Sequence, residues 1–136
     1  MGDISVRELP LFPLPEVVLF PNEVLPLHIF ESRYRIMLKS VLETDSLFGV
    51  IKWDPETKSM ANVGCCAHVI KHQTSEDGRS NIITVGQQRF QILEIIRSTP
   101  YYSAMVSWVD DNNIENLNDL DVLRAVSYTH LRAHET

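Results

Sequence analysis

The chain is poor in the residues from which most catalytic and metal sites are built. It has five glycines, two cysteines and five histidines among 136 residues. No glycine begins the G-x-x-x-x-G-K-[ST] pattern of a phosphate-binding loop, and neither G-x-S-x-G nor H-E-x-x-H occurs. We therefore expect no catalytic residue, no metal ligand, no cofactor-binding residue and no bound cofactor.

Positive charge and long apolar runs are also scarce. Twelve Lys and Arg residues stand against 18 Asp and Glu, which gives a net charge of −6. Binding to a phosphate backbone needs clustered Lys and Arg, so we expect no nucleic-acid partner. No apolar run approaches the ~20 residues that cross a bilayer, and the first residues lack the pattern of a secretory signal. We expect no membrane partner and a cytoplasmic location, or the plastid stroma for a plant-type source.

The two cysteines, Cys65 and Cys66, are adjacent. Neighbouring residues of a strand point to opposite faces, so the two thiols are poorly placed to bridge each other or to share an ion. This pattern favours buried structural thiols in a reducing compartment.

What the sequence does contain is a series of short apolar segments separated by turn residues. The prolines of residues 6–14 and Pro26 favour extended backbone at sheet edges. Asp77-Gly78 predicts a hairpin turn, and Gly86 predicts a break between two strands. We expect strands at 6–14, 17–20, 24–29, 47–53, 64–71, 81–85, 90–96 and 101–109. Strands spaced about ten residues apart are typical of a small, partly closed barrel.

One segment, about 31–43, has helical periodicity instead. Tyr34, Met37, Leu38, Val41 and Leu42 fall at i, i+3, i+4, i+7 and i+8, which places them on one stripe of an amphipathic helix. The chain is therefore predicted to be mostly β (α+β), with this helix packed against the sheet.

Several segments, in order and over about positions 7–109, together resemble the N-terminal substrate-binding (LON) domain of Lon proteases. They are residues 9–14, 17–21, 25–31 with Arg33-Tyr34, 48–50, 63–67, 85–90 and 100–101. Residues 25–31, Trp53-Asp54-Pro55 and the Cys-Cys pair are most similar to stand-alone LON-domain proteins of cyanobacteria and plastids. The resemblance implies a PUA-like pseudo-barrel of about six strands, followed by a helical part. The ATPase and protease modules of full Lon have no counterpart in these residues.

The end of the chain divides into two short segments after a LON β-domain that we place at 1–111. Residues 112–124 carry Leu117, Leu120 and Leu123 at helical spacing, and we expect them to begin a truncated helical subdomain. Residues 125–136 we interpret as an artefact, because all eleven residues of 126–136 fit the translation of a transposon-library sequencing adapter. The alternative is a native helix with His130 and His134 at i,i+4 spacing.

The resemblance implies a non-catalytic module that binds unfolded or extended protein segments, with an ATP-dependent protease as a further partner. Two alternatives remain open: the N-terminal fragment of a complete ATP-dependent Lon serine protease, and a PUA-like module for a small ligand. For the aromatic residues that follow, packing within the sheet is the competing interpretation to binding. The candidate peptide-binding residues are Leu25, Leu27, Phe30, Tyr34, Trp53, Tyr101, Tyr102 and Trp108.

Overall fold

The computed structural model describes residues 6–109, which form seven strands and one helix. The elements are β1 (Val6–Leu14), β2 (Val24–Ile29), α1 (Ser32–Leu42), β3 (Leu47–Asp54), β4 (Ser59–Met60), β5 (Val63–Thr74), β6 (Ser80–Arg97) and β7 (Ser103–Val109). The mostly β fold with one amphipathic helix is confirmed. The predicted helical start at 112–124 and the adapter-like segment 125–136 lie outside the described residues. No helix of residues 6–109 is long and apolar enough to span a membrane.

Five strands form a closed ring in the order β1, β7, β6, β5, β3 and back to β1. Parallel pairing of Leu11–Leu14 in β1 with Gly49–Lys52 in β3 closes the ring; the other four pairings are antiparallel. β2 pairs with β6 and β4 pairs with β3 outside this ring. The fold is thus a sheet of seven strands, five of which close into a ring. The sequence pattern predicted eight strands, and the resemblance implied about six.

The prolines of β1 were expected at a sheet edge, but β1 is an interior strand of the ring, although each of its halves pairs on one side only. β1 has strands on both sides, because its first half pairs with β7 and its second half with β3. Pro10 is the last β1 residue paired with β7, and Pro13 lies in the half paired with β3. Using a different neighbour along each half lets β1 hold prolines without being an edge strand.

Two further strand predictions were wrong. Residues 17–20 have no strand structure, and β6 continues through Gly86 as one strand of 18 residues. A Cβ at Gly86 would lie 2.2 Å from the carbonyl oxygen of Phe20. The amide of Asn22 donates to the Gly86 oxygen, and the amide of Gly86 donates to the Glu23 oxygen, both at 2.8 Å. The missing side chain at Gly86 therefore lets the turn at residues 20–23 approach β6, and the strand continues through this position.

The buried side chains form two clusters on opposite faces of the sheet. The helix cluster joins Tyr34, Met37, Leu38 and Val41 of α1 to one sheet face. The barrel cluster lies on the other face and consists of Leu9, Leu11, Ile51, Cys66, Phe90, Ala104 and Val106. Cys65 belongs to the helix cluster, so the two adjacent thiols do point to opposite faces.

Phe90 occupies space in the barrel cluster that two glycines leave free. A Cβ at Gly49 would lie 2.6 Å from Cζ of Phe90, and one at Gly64 would lie 2.7 Å from the same atom. Gly49 and Gly64 each precede a residue of the helix cluster. Because successive side chains of a strand point to opposite faces, a side chain at either glycine would face the barrel cluster. The ring closes around Phe90 because these two positions carry no side chain.

We expect Gly49→Ala to destabilise the fold by about 1–3 kcal/mol, because the new methyl group overpacks the space beside Phe90. Phe90→Leu removes the clashing ring atom, so in the double variant the cost of the alanine should be markedly smaller than in the wild-type background. Urea unfolding of the four proteins in this cycle measures the coupling. Equal costs in both backgrounds would contradict the packing described.

Burial dominates the chemistry of both thiols. It raises the pKa of Cys65 and of Cys66 from 9.0 to about 12. The Cys65 Sγ lies 3.6 Å from the Cys66 carbonyl oxygen and 3.7 Å from that of Gln87, both weak acceptors. The thiolate is the reactive form of cysteine, and a raised pKa lowers its fraction at every pH below that value. The buried environment thus favours inert structural thiols.

We expect both cysteines to resist alkylation in the folded protein. At pH 8 the shift in pKa lowers the thiolate fraction about a thousandfold relative to a free thiol. Mass spectrometry after iodoacetamide treatment should find neither thiol modified under native conditions and both modified in urea. Rapid native modification of either thiol would show that it is not held in its cluster.

Candidate functional site

The candidate surface begins at β2, because within residues 6–109 the only strand that pairs with it is β6. Its side chains alternate: Leu25, Leu27 and Ile29 face the helix cluster, whereas Val24 and His28 are exposed. The hydroxyl of Thr84 donates to the Leu25 carbonyl oxygen at 2.8 Å, which further ties β2 to β6. One edge of β2 is therefore fixed, and the other has no described partner strand.

The alternation of an antiparallel ladder identifies the backbone groups on that second edge. The amide of Gly86 donates to the Glu23 oxygen, so the pairs that exchange hydrogen bonds with β6 continue at Leu25, Leu27 and Ile29. The backbone groups of Val24, Pro26 and His28 then point away from β6. Pro26 has no N–H, which suits a position directed away from the ladder. The sequence-based expectation of an edge at Pro26 thus holds for β2.

His28 and Phe30 continue the exposed side of β2 toward α1. Nδ1 of His28 lies 2.7 Å from Oδ1 of Asn81, a contact that an N–H at Nδ1 satisfies. The His28 and Phe30 rings stack at a centroid distance of 5.8 Å and an interplanar angle of 26°. Phe30 nevertheless remains 57% exposed. The stacked pair holds an aromatic side chain in place while leaving most of its surface available.

A groove opens beyond Phe30, between the start of α1 and the turn that joins β6 to β7. One wall is formed by Phe30, Glu31, Ser32, Arg33 and Ile36, and the other by Ser98, Thr99 and Pro100. Its volume is about 710 Å³, and it is shallow and largely open to solvent. Apolar surface from Phe30 and Ile36 is flanked by one acidic and one basic side chain. This composition suits an amphipathic or apolar side chain of a partner.

The tyrosines among the predicted residues are mostly packed. Tyr34 is buried, with its ring 4.4 Å from that of Phe12, and burial raises the pKa of its hydroxyl. Tyr101 is half-buried against the helix cluster, and Tyr102 is half-buried against the barrel cluster. Tyr34 and Tyr101 therefore pack with the helix cluster and are not among the residues that line the groove.

The two tryptophans do not belong to this surface. Trp53 lies in β3 opposite Met60 of β4, and Trp108 lies in β7 opposite Phe90 and packs against the barrel cluster. Both are half-buried. Of the eight predicted residues, the structure brings Leu25, Leu27, Tyr34 and Tyr101 to the helix cluster. It leaves Phe30 exposed at the groove and places the other three elsewhere.

Sequence reasoning missed Ile36 and the residues 98–100 of the second wall. Ile36 is 51% exposed and lies outside the buried stripe of α1. A large apolar residue off the stripe of an amphipathic helix is a signal that the sequence did offer. The turn at 98–100 offered none, because its approach to α1 depends on long-range contacts.

A second stretch of exposed apolar residues lies at the end of β6, beyond the residues that pair with β5. Leu93, Ile95 and Ile96 are 54%, 40% and 45% exposed. Register shifts occur at 92–94 and at 95–97, and the charged residues Glu94 and Arg97 are interleaved. Bulges, charges and prolines are the usual protection of a sheet edge against pairing, and of these the outer edge of β2 has only Pro26.

No group of three or more His, Cys, Asp or Glu within 6–109 is arranged to hold a metal ion.

Comparison with known proteins gives a consistent result. Residues 8–133 match the family model of the ATP-dependent protease La (LON) substrate-binding domain. The Lon protease of Anaeromyxobacter dehalogenans is 28% identical over 120 residues, which cover 84% of this chain and 14% of that protein. Lon protease 2 of Myxococcus xanthus is 26% identical over 121 residues, which cover 85% and 15%. The chain thus spans only a small part of these relatives.

Solved structures show the same fold. The Lon N-terminal domain protein from Xanthomonas campestris superposes with a TM-score of 0.67 at 28% identity, covering 76% of this chain and 60% of that one. The N-terminal domain of Mycobacterium avium complex Lon protease superposes with a TM-score of 0.55 at 15% identity, covering 76% and 54%. The closer similarity to cyanobacterial and plastid proteins stays a prediction, as does the origin of residues 125–136.

Proposed function

The chain belongs to the LON substrate-binding domain family, and from that premise we propose that it holds extended, apolar-rich segments of other proteins without cutting them. The observation that carries the proposal is the outer edge of β2, which has no described partner strand and, apart from Pro26, no protecting bulge or charge. An extended segment added to such an edge gains backbone hydrogen bonds whatever its sequence.

The groove beside Phe30 supplies the side-chain part of the interaction. Phe30 and Ile36 are 57% and 51% exposed, so a partner side chain that covers them removes apolar surface from water. Glu31 and Arg33 at the same groove offer both charges, so neither sign of partner charge is strongly favoured. We infer a preference for apolar segments in an extended conformation, with tolerance of their exact sequence.

Affinity should be modest. The outer edge of β2 directs only the amides of Val24 and His28 outward as donors, because Pro26 has none. Ordering a flexible segment also costs free energy that these few bonds must offset. We expect dissociation constants of tens of micromolar or weaker, which is equivalent to about −6 kcal/mol.

The wider context follows from the family. We infer a cytoplasmic role, or a stromal one for a plant-type source, in which the domain presents segments to an ATP-dependent protease. The second candidate is the N-terminal domain of a complete Lon protease, since the similar proteins from Anaeromyxobacter and Myxococcus are Lon proteases of which this chain covers 14% and 15%. A P-loop motif in a longer protein that contains these residues would support this second candidate.

We expect Ile36→Ser to weaken binding of an unfolded apolar peptide about tenfold. The change removes apolar surface from the groove, and the burial of a large side chain contributes about 1.5–3 kcal/mol. Phe30→Ser should have a similar effect. Fluorescence anisotropy of a labelled peptide gives the dissociation constants, and circular dichroism establishes that each variant is folded.

Leu93→Ser is the matched control, because Leu93 is as exposed as Ile36 but lies on the protected edge of β6. Its dissociation constant should equal that of the wild type. Equal weakening by all three substitutions would indicate non-specific apolar adhesion, and unchanged binding by Ile36→Ser and Phe30→Ser would remove the groove from the site.

A further inference from the structure

The exposed face of β2 carries an imidazole ring whose orientation is fixed. His28 pairs with Asn81 of β6 in the antiparallel ladder, so the two side chains lie side by side on the same face of the sheet. Nδ1 of His28 lies 2.7 Å from Oδ1 of Asn81. The ring also stacks on Phe30, with the two centroids 5.8 Å apart. His28 is therefore held by a hydrogen bond to β6 and by a contact with Phe30.

The bond to Asn81 also determines which ring nitrogen carries the proton. An amide oxygen can only accept, so Nδ1 of His28 is the donor, and the other nitrogen of a neutral imidazole is then an acceptor. The two nitrogens point to different sides of the ring, so Nε2 points away from β6 and toward the outer edge of β2. Within residues 6–109, the only hydrogen bond of this ring is the one to Asn81. The outer edge therefore presents a side-chain acceptor in addition to its backbone groups.

This acceptor lies where a segment added to β2 would place a side chain. Antiparallel addition, the orientation in which β6 pairs with the inner edge, is the more stable one. The residue of the segment opposite His28 would then have its Cβ about 4.5–5.5 Å from that of His28, on the same face. The residue opposite Phe30 comes two positions earlier in the segment and lies on that face too. His28 and the 57% exposed Phe30 would thus each contact one side chain of the segment.

We propose that His28 selects, among extended segments, those with a side-chain N–H or O–H donor two residues after the apolar residue that covers Phe30. This inference rests on the proposed function and narrows the class of segments that the site binds. Threonine suits the position, because its hydroxyl can donate and its branched side chain favours a strand. Asp or Glu would bring a second acceptor against Nε2 and is disfavoured there. Asn81 acts through His28 as a positioning residue.

Binding of matched peptides to the full chain tests the proposal. The peptides carry Phe-x-Thr or Phe-x-Val at the centre of an otherwise identical apolar sequence, so that they differ in the donor. We expect the Thr peptide to bind about threefold to tenfold more tightly, which is the usual net contribution of one hydrogen bond. His28→Phe keeps a ring beside Phe30 but removes the acceptor, so the preference should vanish. His72→Phe is the matched control, because His72 is an exposed histidine of β5, and it should keep the preference.

The role of Asn81 has a spectroscopic readout that needs no peptide. Nitrogen NMR of the His28 ring near pH 8, where an ordinary imidazole is neutral, distinguishes the two tautomers. We expect the proton on Nδ1 in the wild type and in Asn81→Asp, which keeps an acceptor oxygen, and a mixture of tautomers in Asn81→Val. The preference for the Thr peptide should be retained in Asn81→Asp and reduced in Asn81→Val.

The possible results separate this proposal from the proposed function. Equal binding of the Thr and Val peptides by the wild type, or a preference that persists in His28→Phe, overturns the proposal and leaves the proposed function in place. A preference found only for the reversed order, Thr-x-Phe, also overturns it. A proton on Nε2 in the wild type overturns the role given to Asn81. Binding of none of the peptides overturns the proposed function, and this inference with it.

Discussion

At Gly86, β6 exchanges one neighbouring strand for another. Before this residue β6 pairs with β2, and beyond it β6 pairs with β7, while β5 follows its other edge. The carbonyl oxygen of Phe20 approaches so closely that a Cβ would lie 2.2 Å from it, and only glycine leaves that space. Because the exchange occurs there, β7 can close the barrel while β2 stays outside it. Both the closed ring and the outer edge of β2, which has no partner strand within residues 6–109, depend on this contact.

The features of the fold that depend on neighbouring residues were predictable from the sequence. The apolar stripe of α1, the Asp77-Gly78 turn and the family resemblance all arise from neighbouring residues, and each agrees with the fold or with the comparisons. Long-range effects were missed. The parallel pairing that makes β1 an interior strand joins residues nearly forty positions apart, and Gly86 was taken for a break because the approach of Phe20 has no local signature.

In the candidate site, too, features with a local signal were predictable and features set by long-range contacts were not. An edge at Pro26 was predictable, because a proline in an apolar strand needs a position without a ladder donor. The aromatic residues that line a surface were not predictable, because the register of a strand decides which side each of its aromatic residues faces. Trp108 lies opposite Phe90 and packs half-buried against the barrel cluster, whereas Phe30, just beyond the end of β2, is largely exposed. Exposure of Ile36 off the helical stripe was a readable signal that the periodicity argument passed over.

The central claim is that an extended segment adds to the outer edge of β2. Amide hydrogen exchange, followed residue by residue with and without a saturating unfolded apolar peptide, tests it most directly. The amides of Val24 and His28 point outward and should exchange more slowly when the peptide is bound, whereas those of Leu25 and Leu27 already bond to β6 and should change little. Unaltered exchange at Val24 and His28, or protection at residues 93–97 in their place, would contradict the claim.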